Sequence, residues 1–263
     1  MLFLGLDLAW GQKNTSGGVI LRGDGVSRAT VVDVQEALGD DDEILNWVER
    51  WDESEGRRGL LIGVDAPLLV PNETGRRPCE GELARRFAKY QAGGHPANRR
   101  LYGGRVRGEI LVARLAAMNV AHNPLLTSAR LPDVRAVMEV FPHPAHIVLF
   151  GLTRTLKYKA KPGRYYPSRW AALNEYARLL RTLTAHDPPL ALPAAWPPAD
   201  MSGIIGGRLK QIEDGLDALS CAYIAYWYWW HGAGGAEVIG DMADGYIVVP
   251  RLFAPDGGYG PQA

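Results

Sequence analysis

The chain has 263 residues, of which 47% are hydrophobic and 22% charged, and its formal net charge at pH 7 is zero. These values are typical of a soluble globular protein and exclude a disordered or fibrous chain. No apolar run reaches the roughly 18 residues of a membrane span, and a strand pattern begins at residue 2 without a signal-type leader, so no membrane partner is expected. The cysteines Cys79 and Cys221 form no metal-binding motif and indicate a reducing compartment, so we expect a cytoplasmic protein.

The charges are segregated along the chain. Residues 24–55 hold eleven acidic residues against two arginines, whereas residues 73–114 hold ten basic against four acidic residues. Residues 153–181 hold eight basic residues and one acidic residue. Segregated charge produces local fields that a neutral total conceals. Each basic block alone can be a solvated surface, but two such blocks favour a polyanionic partner, namely DNA or RNA.

The first quarter of the chain predicts three strands, a helix and a fourth strand. The run LFLGLDL at residues 2–8 is typical of a strand that is buried on both faces. SGGVIL and RATVVDV follow as two strands joined around the turn signal Asp24-Gly25. DDDEILNWVERW predicts a helix, with Asp40 and Glu43 as a start of the capping-box type. GLLIGVDAPL predicts the fourth strand.

The remainder predicts two insertions around a fifth strand. Residues 71–133 are expected to be mostly helical, interrupted by the loop GGHPANRRLYGG. VRAVMEVFPHP predicts the fifth strand, with Glu139 near its end. A helix over residues 168–183, a proline-rich loop and a long helix over residues 207–230 follow. GYIVVP is a candidate for a short closing strand.

This order of elements predicts a single α/β domain over residues 1–263, with insertions at about residues 71–133 and 151–207. The expected core is a mixed five-stranded sheet, formed by an antiparallel hairpin and parallel strands, with helices on both faces. In such sheets, ligands bind beyond the carboxyl ends of the parallel strands. The residues that follow those ends are therefore the first candidates for a functional site.

Acidic side chains occur at those ends and on the last helix. The candidates are Asp7, Asp65, Glu139, Asp214 and Asp217. Asp214 and Asp217 share a face of the helix, and Glu213 can replace Asp214 because it shares a face with Asp217 equally well. Gly215 is expected to let this helix approach the sheet closely. Each acid alone could cap a turn, pair with an arginine or lie in solvent, but together they predict one acidic site.

Converging carboxylates can all ionise only when cations lie among them. Hard divalent ions, Mg²⁺ or Mn²⁺, prefer oxygen ligands, and the lack of a histidine or cysteine cluster argues against zinc. Two such ions can activate a water molecule and stabilise the leaving oxygen during phosphodiester hydrolysis. The five candidate acids are therefore predicted to be both metal ligands and catalytic residues.

The stretches LGLDLAW, GVDAPL, RPCEGELARR, EVFPHPA, LKYKAKPG and EDGLDAL together resemble the family catalogued as domain of unknown function 429. That family is regarded as predicted ribonuclease H-like nucleases, within a superfamily that includes Holliday junction resolvases. The resemblance extends from the first strand to the last helix. It implies a ribonuclease H-like domain and a metal-dependent nuclease that hydrolyses phosphodiester bonds of nucleic acid by a two-metal mechanism. It points to the same five acids.

Basic residues supply candidates for phosphate binding. Lys157, Lys159 and Lys161 alternate, as on one side of an extended segment, and are expected to hold backbone phosphates unless they form a solvated loop. Arg76 and Arg85 could follow a polyanion or pair with nearby glutamates.

Three further features concern the surroundings of the site. His143, between two prolines, is a candidate for moving a proton to the leaving group or is a hydrogen-bonded turn residue. Trp10, just after the first strand, could wall the mouth of the site. The tryptophans Trp227, Trp229 and Trp230 could stack bases, but packing under the last helix is the preferred interpretation.

Two other functions remain open. The first is a non-catalytic module that binds nucleic acid or acts as a scaffold on the same fold. The second is an actin-like phosphotransferase, because DLAWGQKNTSGG resembles the phosphate loop of actin-like sugar kinases, although those proteins contain two such cores. The choice between DNA and RNA, the choice between branched and linear substrates, and the oligomeric state remain open.

Overall fold

The computed structural model describes residues 1–11, 14–126 and 128–251. The strands in these ranges are β1 (Leu2–Asp7), β2 (Ser16–Gly23), β3 (Ala29–Leu38), β4 (Leu60–Val64), β5 (Ala121–His122), β6 (Arg135–Glu139), β7 (Leu190–Ala191), β8 (Ala236–Asp241) and β9 (Gly245–Pro250). The α-helices are α1 (Asp41–Ser54), α2 (Pro78–Phe87), α3 (Arg107–Ala116), α4 (Pro142–Phe150), α5 (Tyr166–Thr182) and α6 (Gly206–His231). In these same ranges, no helix has both the length and the apolar character that a membrane crossing requires.

The main sheet is mixed, with strand order β5-β6-β4-β1-β2-β3-β7. β1 pairs antiparallel with β2 and parallel with β4, and β4 pairs parallel with β6. The predicted combination of an antiparallel hairpin with parallel strands is confirmed, but the sheet has seven strands instead of five. The additional strands, β5 and β7, are two-residue edge strands, too short to leave a periodic pattern in the sequence. The GYIVVP segment is a strand, β9, but it pairs with β8 in a second, two-stranded sheet.

Side-chain alternation in β1 divides the core between the two faces of the sheet. Leu4 and Leu6 lie in the core that α1 and α3 cover. Phe3 points the other way, into the core formed with α5 and α6. Helices therefore cover both faces, as predicted. Trp227 and Trp229 of α6 are buried in this second core, which confirms their predicted packing role.

Helix α6 crosses the sheet at unusually close range because the strands beneath it carry glycines. The glycines at which an added Cβ would overlap the α6 backbone are Gly5 of β1 (against Ala218), Gly17 of β2 (against Asp214) and Gly63 of β4 (against Cys221). Glycine in a strand often marks such an approach of another backbone. These glycines fix the position of α6 over the ends of β1 and β4.

Gly215 of α6 also lies close to the sheet, in agreement with the sequence prediction, because Glu36 beside it belongs to β3. An added Cβ at Gly215 would meet the side chains of Glu36 at 3.0 Å and Trp196 at 3.4 Å. Gly215 therefore makes room for the side chain of a sheet residue, Glu36, and for Trp196, while the strand glycines make room for the backbone of the helix. The glycine on the helix was predicted from the sequence, whereas those on the strands were not.

The region over residues 71–133 is mostly loop, which corrects the expectation of a mostly helical insertion. Only α2 and α3, of ten residues each, are α-helices in its described part. The glycines and prolines between them favour turns over helix. By contrast, the predicted helices over residues 168–183 and 207–230 are confirmed as α5 and α6, with ends displaced by one or two residues.

Candidate functional site

A cavity of about 720 Å³ lies at the carboxyl ends of β1 and β4. Asp7, Asp65 and Asp214 line it. Asp7 and Asp65 leave the sheet side by side, because Leu6 and Val64 are register partners in the parallel pair and the Asp65 amide donates to the Leu6 carbonyl at 2.8 Å. The structure thus brings together carboxylates from two strand ends and from α6.

The ammonium group of Lys159 lies among these carboxylates. Its Nζ contacts Oδ2 of Asp217 and lies 3.5 Å from Oε1 of Glu213 and 3.6 Å from Oδ2 of Asp7. The Tyr158 hydroxyl donates to the other oxygen of Asp217, Oδ1, at 2.7 Å. Sequence alternation predicts that Lys159 faces phosphates, but in the structure it neutralises acids.

Two further cations complete the cluster. Lys210 pairs with Asp214, one helical turn away, and its Nζ lies 3.5 Å from Oε1 of Glu213. Arg169 of α5 donates to Oε2 of Glu213 at 3.3 Å. Glu213 and Asp214 therefore both belong to the site, and the choice between them that the sequence left open does not arise.

The carboxylates of this cluster outnumber its cations. Asp7, Asp65, Glu213, Asp214 and Asp217 lie near Lys159, Lys210 and Arg169. Burial, reinforced by the charge of Asp7, raises the pKa of Asp214 to about 8 and raises the pKa of Asp65 well above its ordinary value. Burial opposes ionisation of Asp217 too, but the Lys159 ammonium outweighs it and holds the pKa of Asp217 below its ordinary value. At pH 7 Asp214 therefore keeps its proton, so the excess of carboxylates over cations is offset in part by protons that a divalent cation would have to displace.

Glu139 does not join this cluster, although it lies at the end of a neighbouring strand. It is the register partner of Val64, which is itself the partner of Leu6. Side chains alternate along a strand, so Glu139 points to the side of Leu6 and Val64, whereas Asp7 and Asp65 point toward α6. Glu139 is aligned with Val64, one residue before Asp65, and therefore lies on the opposite face of the sheet.

Arg77 holds Glu139 in a separate buried network. The guanidinium donates to both oxygens of Glu139, at 2.6 and 2.8 Å, and the Leu68 amide donates to Oε2 at 2.9 Å. Arg77 also donates through Nε to Glu80 at 2.8 Å, and Glu80 accepts the Ala97 amide at 3.0 Å. This network ties the segment around α2 to the sheet.

A wall of cations lines the same cavity as the acids. Lys157, Lys161 and Arg164 contribute to it together with Lys159. In the part of the chain that the structure describes, no carboxylate lies within ion-pair distance of Lys157, Lys161 or Arg164. Burial and the neighbouring charges of Arg164 and Lys161 lower the pKa of Lys157, so these cations repel one another. An anion between them would relieve that repulsion.

The other two predicted phosphate ligands lie elsewhere. Arg85 pairs with Glu82 at 2.7 Å on an exposed face of α2, and Arg76 is also exposed. The cavity lining includes neither of them. The structure therefore does not bring them to the site.

His143 and Trp10 both line the cavity. The Nδ1 atom of His143 lies 3.1 Å from the Thr155 hydroxyl, and burial lowers the pKa of His143 to about 3. The imidazole is therefore neutral at pH 7, and because its pKa lies well below that pH it is a weak base there. Trp10 remains 57% exposed at the mouth.

The donor chemistry of the site fits a hard divalent cation. Carboxylate oxygens are the preferred ligands of such ions, and the buried Oδ2 of Asp7 has no hydrogen-bond partner. Over the described ranges, however, no three His, Cys, Asp or Glu side chains are arranged to hold a metal ion. The Lys159 ammonium lies within 3.6 Å of three carboxylates and provides the positive charge there.

Sequence reasoning missed Tyr158, Lys210 and Arg169. Lys210 carried a usable signal, because it stands four residues before Asp214 on the same helix face. Tyr158 and Arg169 meet the acids only through tertiary structure.

In the suggested phosphate loop, Gln12 and Lys13 lie outside the described residues.

No curated protein and no solved structure matches this chain. The family described as "Protein of unknown function (DUF429)" matches residues 5–242, which run from β1 to the turn after β8. This match includes every acid and cation of the cavity. The chain therefore belongs to the DUF429 family.

Proposed function

We propose that the protein is a metal-dependent nuclease that hydrolyses phosphodiester bonds. The observation that carries this proposal is that one cavity joins a cluster of carboxylates around Asp7, Asp65 and Asp214 to three cations that have no carboxylate partner among the described residues, namely Lys157, Lys161 and Arg164. Carboxylates of this kind suit divalent cations, and the wall suits the phosphates of a nucleic acid. Both parts are needed to hold and cleave a phosphodiester.

A ribonuclease H-like fold is part of the proposal. The five longer strands of the main sheet follow the order β6-β4-β1-β2-β3, with only β2 antiparallel to its neighbours. Acids follow β1 and β4, and the last helix supplies the others. The family resemblance of the sequence supports the same assignment.

Asp7, Asp65, Asp214 and Asp217 are the residues that would hold Mg²⁺ or Mn²⁺. When bound, such ions supply an activated water molecule and stabilise charge on the leaving oxygen. Lys159 must then release its carboxylate contacts, which its flexible four-carbon stem permits. Glu139 is outside this set, because Arg77 occupies both of its oxygens.

Other residues of the chain orient the acids and the substrate. The hydroxyls of Tyr158 and Tyr176 donate to Oδ1 of Asp217, at 2.7 and 3.1 Å, and fix its direction. Lys157 and Lys161 hold phosphate oxygens beside the acids. His143 lines the cavity as a neutral imidazole at pH 7, in which form it can hydrogen-bond to the substrate.

A second candidate function is supported by the position of Lys159. Its ammonium already neutralises Asp217, so the acids could have only a structural role in a module that binds nucleic acid without cleaving it. Such a module would still bind nucleic acid through the cationic wall. The two functions differ in whether a divalent ion is needed.

The test is an assay of the full chain on end-labelled DNA and RNA oligonucleotides, with Mg²⁺, Mn²⁺ or a chelator. We expect cleavage only with a divalent ion, and a loss of more than about 100-fold in Asp7→Asn and Asp217→Asn, since even changes to residues behind metal ligands cost 10–100-fold. Arg85→Ala, outside the cavity, is the control. Circular dichroism checks that each variant is folded. Binding without cleavage under every ion would contradict the nuclease and favour the second function, and full activity in Asp7→Asn would contradict the assignment of the acidic cluster as the active site.

A further inference from the structure

Trp10 is an exposed aromatic residue at the edge of the cavity. It follows Asp7 by three positions, and its side chain both lines the cavity and leaves 57% of its surface to solvent. The indole makes an edge-to-face contact with Tyr102, with ring centroids 5.5 Å apart. An indole combines a large apolar face with a polar N–H group, a combination that is enriched at binding interfaces.

The backbone that carries the indole is anchored before any ligand arrives. The Ala9 amide donates to the Ser16 hydroxyl at 3.1 Å, and the Ala9 carbonyl accepts from Arg107 at 2.8 Å. Arg107 is buried and donates to Asp41 at 2.6 Å. Because the backbone at Trp10 is already held in place, little of its conformational entropy is lost when a ligand binds. The indole is therefore preorganised for binding.

The cationic wall and Trp10 belong to the same cavity. Lys157, Lys161 and Arg164 are placed to follow a phosphate backbone. Proteins that bind single-stranded nucleic acid combine such a charged track with an aromatic ring on which a base stacks. In a duplex the faces of the bases are already stacked on one another and cannot reach an indole.

The size of the cavity favours one strand over two. Its volume of about 720 Å³ lies within the range of roughly 300–1,000 Å³ typical of sites for one small ligand. Such a volume accommodates a short stretch of one strand beside the acids. Resting on the proposed nuclease function, we propose that the substrate is single-stranded nucleic acid, with one base stacked on Trp10 and its phosphates on Lys157, Lys161 and Arg164.

The experiment measures binding first and cleavage second. Fluorescence anisotropy in a chelator, at fixed low salt, compares a labelled single-stranded octamer with the blunt duplex of the same sequence. We expect the single strand to bind at least tenfold more tightly. Trp10→Ala should weaken its binding by about 5–150-fold, the equivalent of one stacked base at 1–3 kcal/mol. Trp10→Phe should retain most of the affinity.

Tyr165→Ala is the matched control, because Tyr165 is 77% exposed and does not line the cavity. Equal binding of duplex and single strand, or unchanged affinity in Trp10→Ala, would overturn the single-strand proposal. The nuclease proposal would survive that result if the same preparations cleave either substrate with Mn²⁺. If no nucleic acid is bound or cleaved under any ion, both proposals are overturned.

Discussion

Lys159 and Asp217 form an ion pair inside the cavity, and the residue before Lys159 completes the hold on the same carboxylate. Tyr158 donates to Oδ1 of Asp217 while the Lys159 ammonium contacts Oδ2. Two consecutive residues, with a bend of the chain at Lys159, thus contact both oxygens of one acid on α6. The ammonium is the charge around which Asp7 and Glu213 also gather.

Lys159→Met tests how strongly that charge stabilises the metal-free chain. Removing one partner of a fully buried pair costs about 3–5 kcal/mol, and since the Lys159 side chain is 26% exposed we expect a loss of about 2–4 kcal/mol in the free energy of unfolding at pH 7. Mn²⁺ should restore more stability to this variant than to the wild type. Urea unfolding in chelator and in Mn²⁺ measures both effects. Lys161→Met, in the same segment but exposed, is the control, and equal losses in the two variants would contradict the prediction.

Asp214→Asn tests the pH dependence of stability. Because the pKa of Asp214 is raised to about 8 in the folded chain, the folded state keeps a proton that the unfolded chain has released above about pH 4. The wild type therefore loses stability as pH rises from 4 to 8, and the asparagine variant lacks this loss. Urea unfolding at several pH values should show the variant as the more stable protein at pH 8, with a smaller margin at pH 5. Asp244→Asn, on the exposed turn between β8 and β9, is the control, and parallel curves for wild type and Asp214→Asn would contradict the prediction.

Metal binding should release protons if Asp65 and Asp214 are ligands. Both have raised pKa values, so a cation must displace protons below pH 8 and its affinity should rise as pH increases from 6 to 8. Isothermal titration of Mn²⁺ in buffers with different ionisation enthalpies reports the number of protons released. An affinity that does not change over this pH range would argue against these two ligands. Asp65→Asn should reduce the number of released protons.

Arg77 and Glu139 should behave as one structural unit. Because both are buried, we expect Arg77→Met and Glu139→Gln each to cost about 3–5 kcal/mol in the free energy of unfolding. The double variant should cost clearly less than the sum, since neither partner is left unpaired. Chemical denaturation of the four proteins measures the coupling, and additive losses would contradict the network. The double variant, if folded, should retain metal binding, because Glu139 lies outside the acidic cluster.

Gly5→Ala should separate α6 from the sheet. An added Cβ would overlap the backbone of α6 at Ala218, so we expect a loss of at least about 3 kcal/mol, at the upper end of overpacking costs. The control is Gly207→Ala in the first turn of α6, where nothing lies within 4 Å of the added Cβ and alanine favours the helix. Thermal unfolding should show a lower midpoint for the first variant and an equal or higher midpoint for the second. Similar midpoints would mean that the strand glycines do not determine the distance between α6 and the sheet.

The features that were predicted correctly depend on residues that lie close together in the sequence. The apolar run around Asp7 indicated a buried strand, and the long apolar helix indicated α6. The turn at Asp24 and Gly25 also follows local rules, since the Asp24 side chain accepts the amides of Val26, Ser27 and Arg28 and Gly25 has a φ of +80°.

The errors concern relations between distant residues. The position of Glu139 at a strand end was predicted, but its side depends on strand register, which a single sequence does not contain. Arg77 is 62 residues away from it, so no local pattern marks their pairing. The packing role of the strand glycines could not be predicted either, because it depends on which helix crosses them. Lys159 lines the cavity together with Lys157 and Lys161, but its contacts with Asp7, Glu213 and Asp217 were not predicted.

The position of Lys159 has a consequence for the order of events in the cell. A chain that carries its own ammonium in the acidic cavity can fold before it meets a divalent ion, unlike small domains that depend on their metal to fold. In the proposed nuclease, loading is then an exchange between a tethered cation and a free one. The Lys159 ammonium would then set a divalent-ion concentration below which the proposed nuclease is folded but inactive.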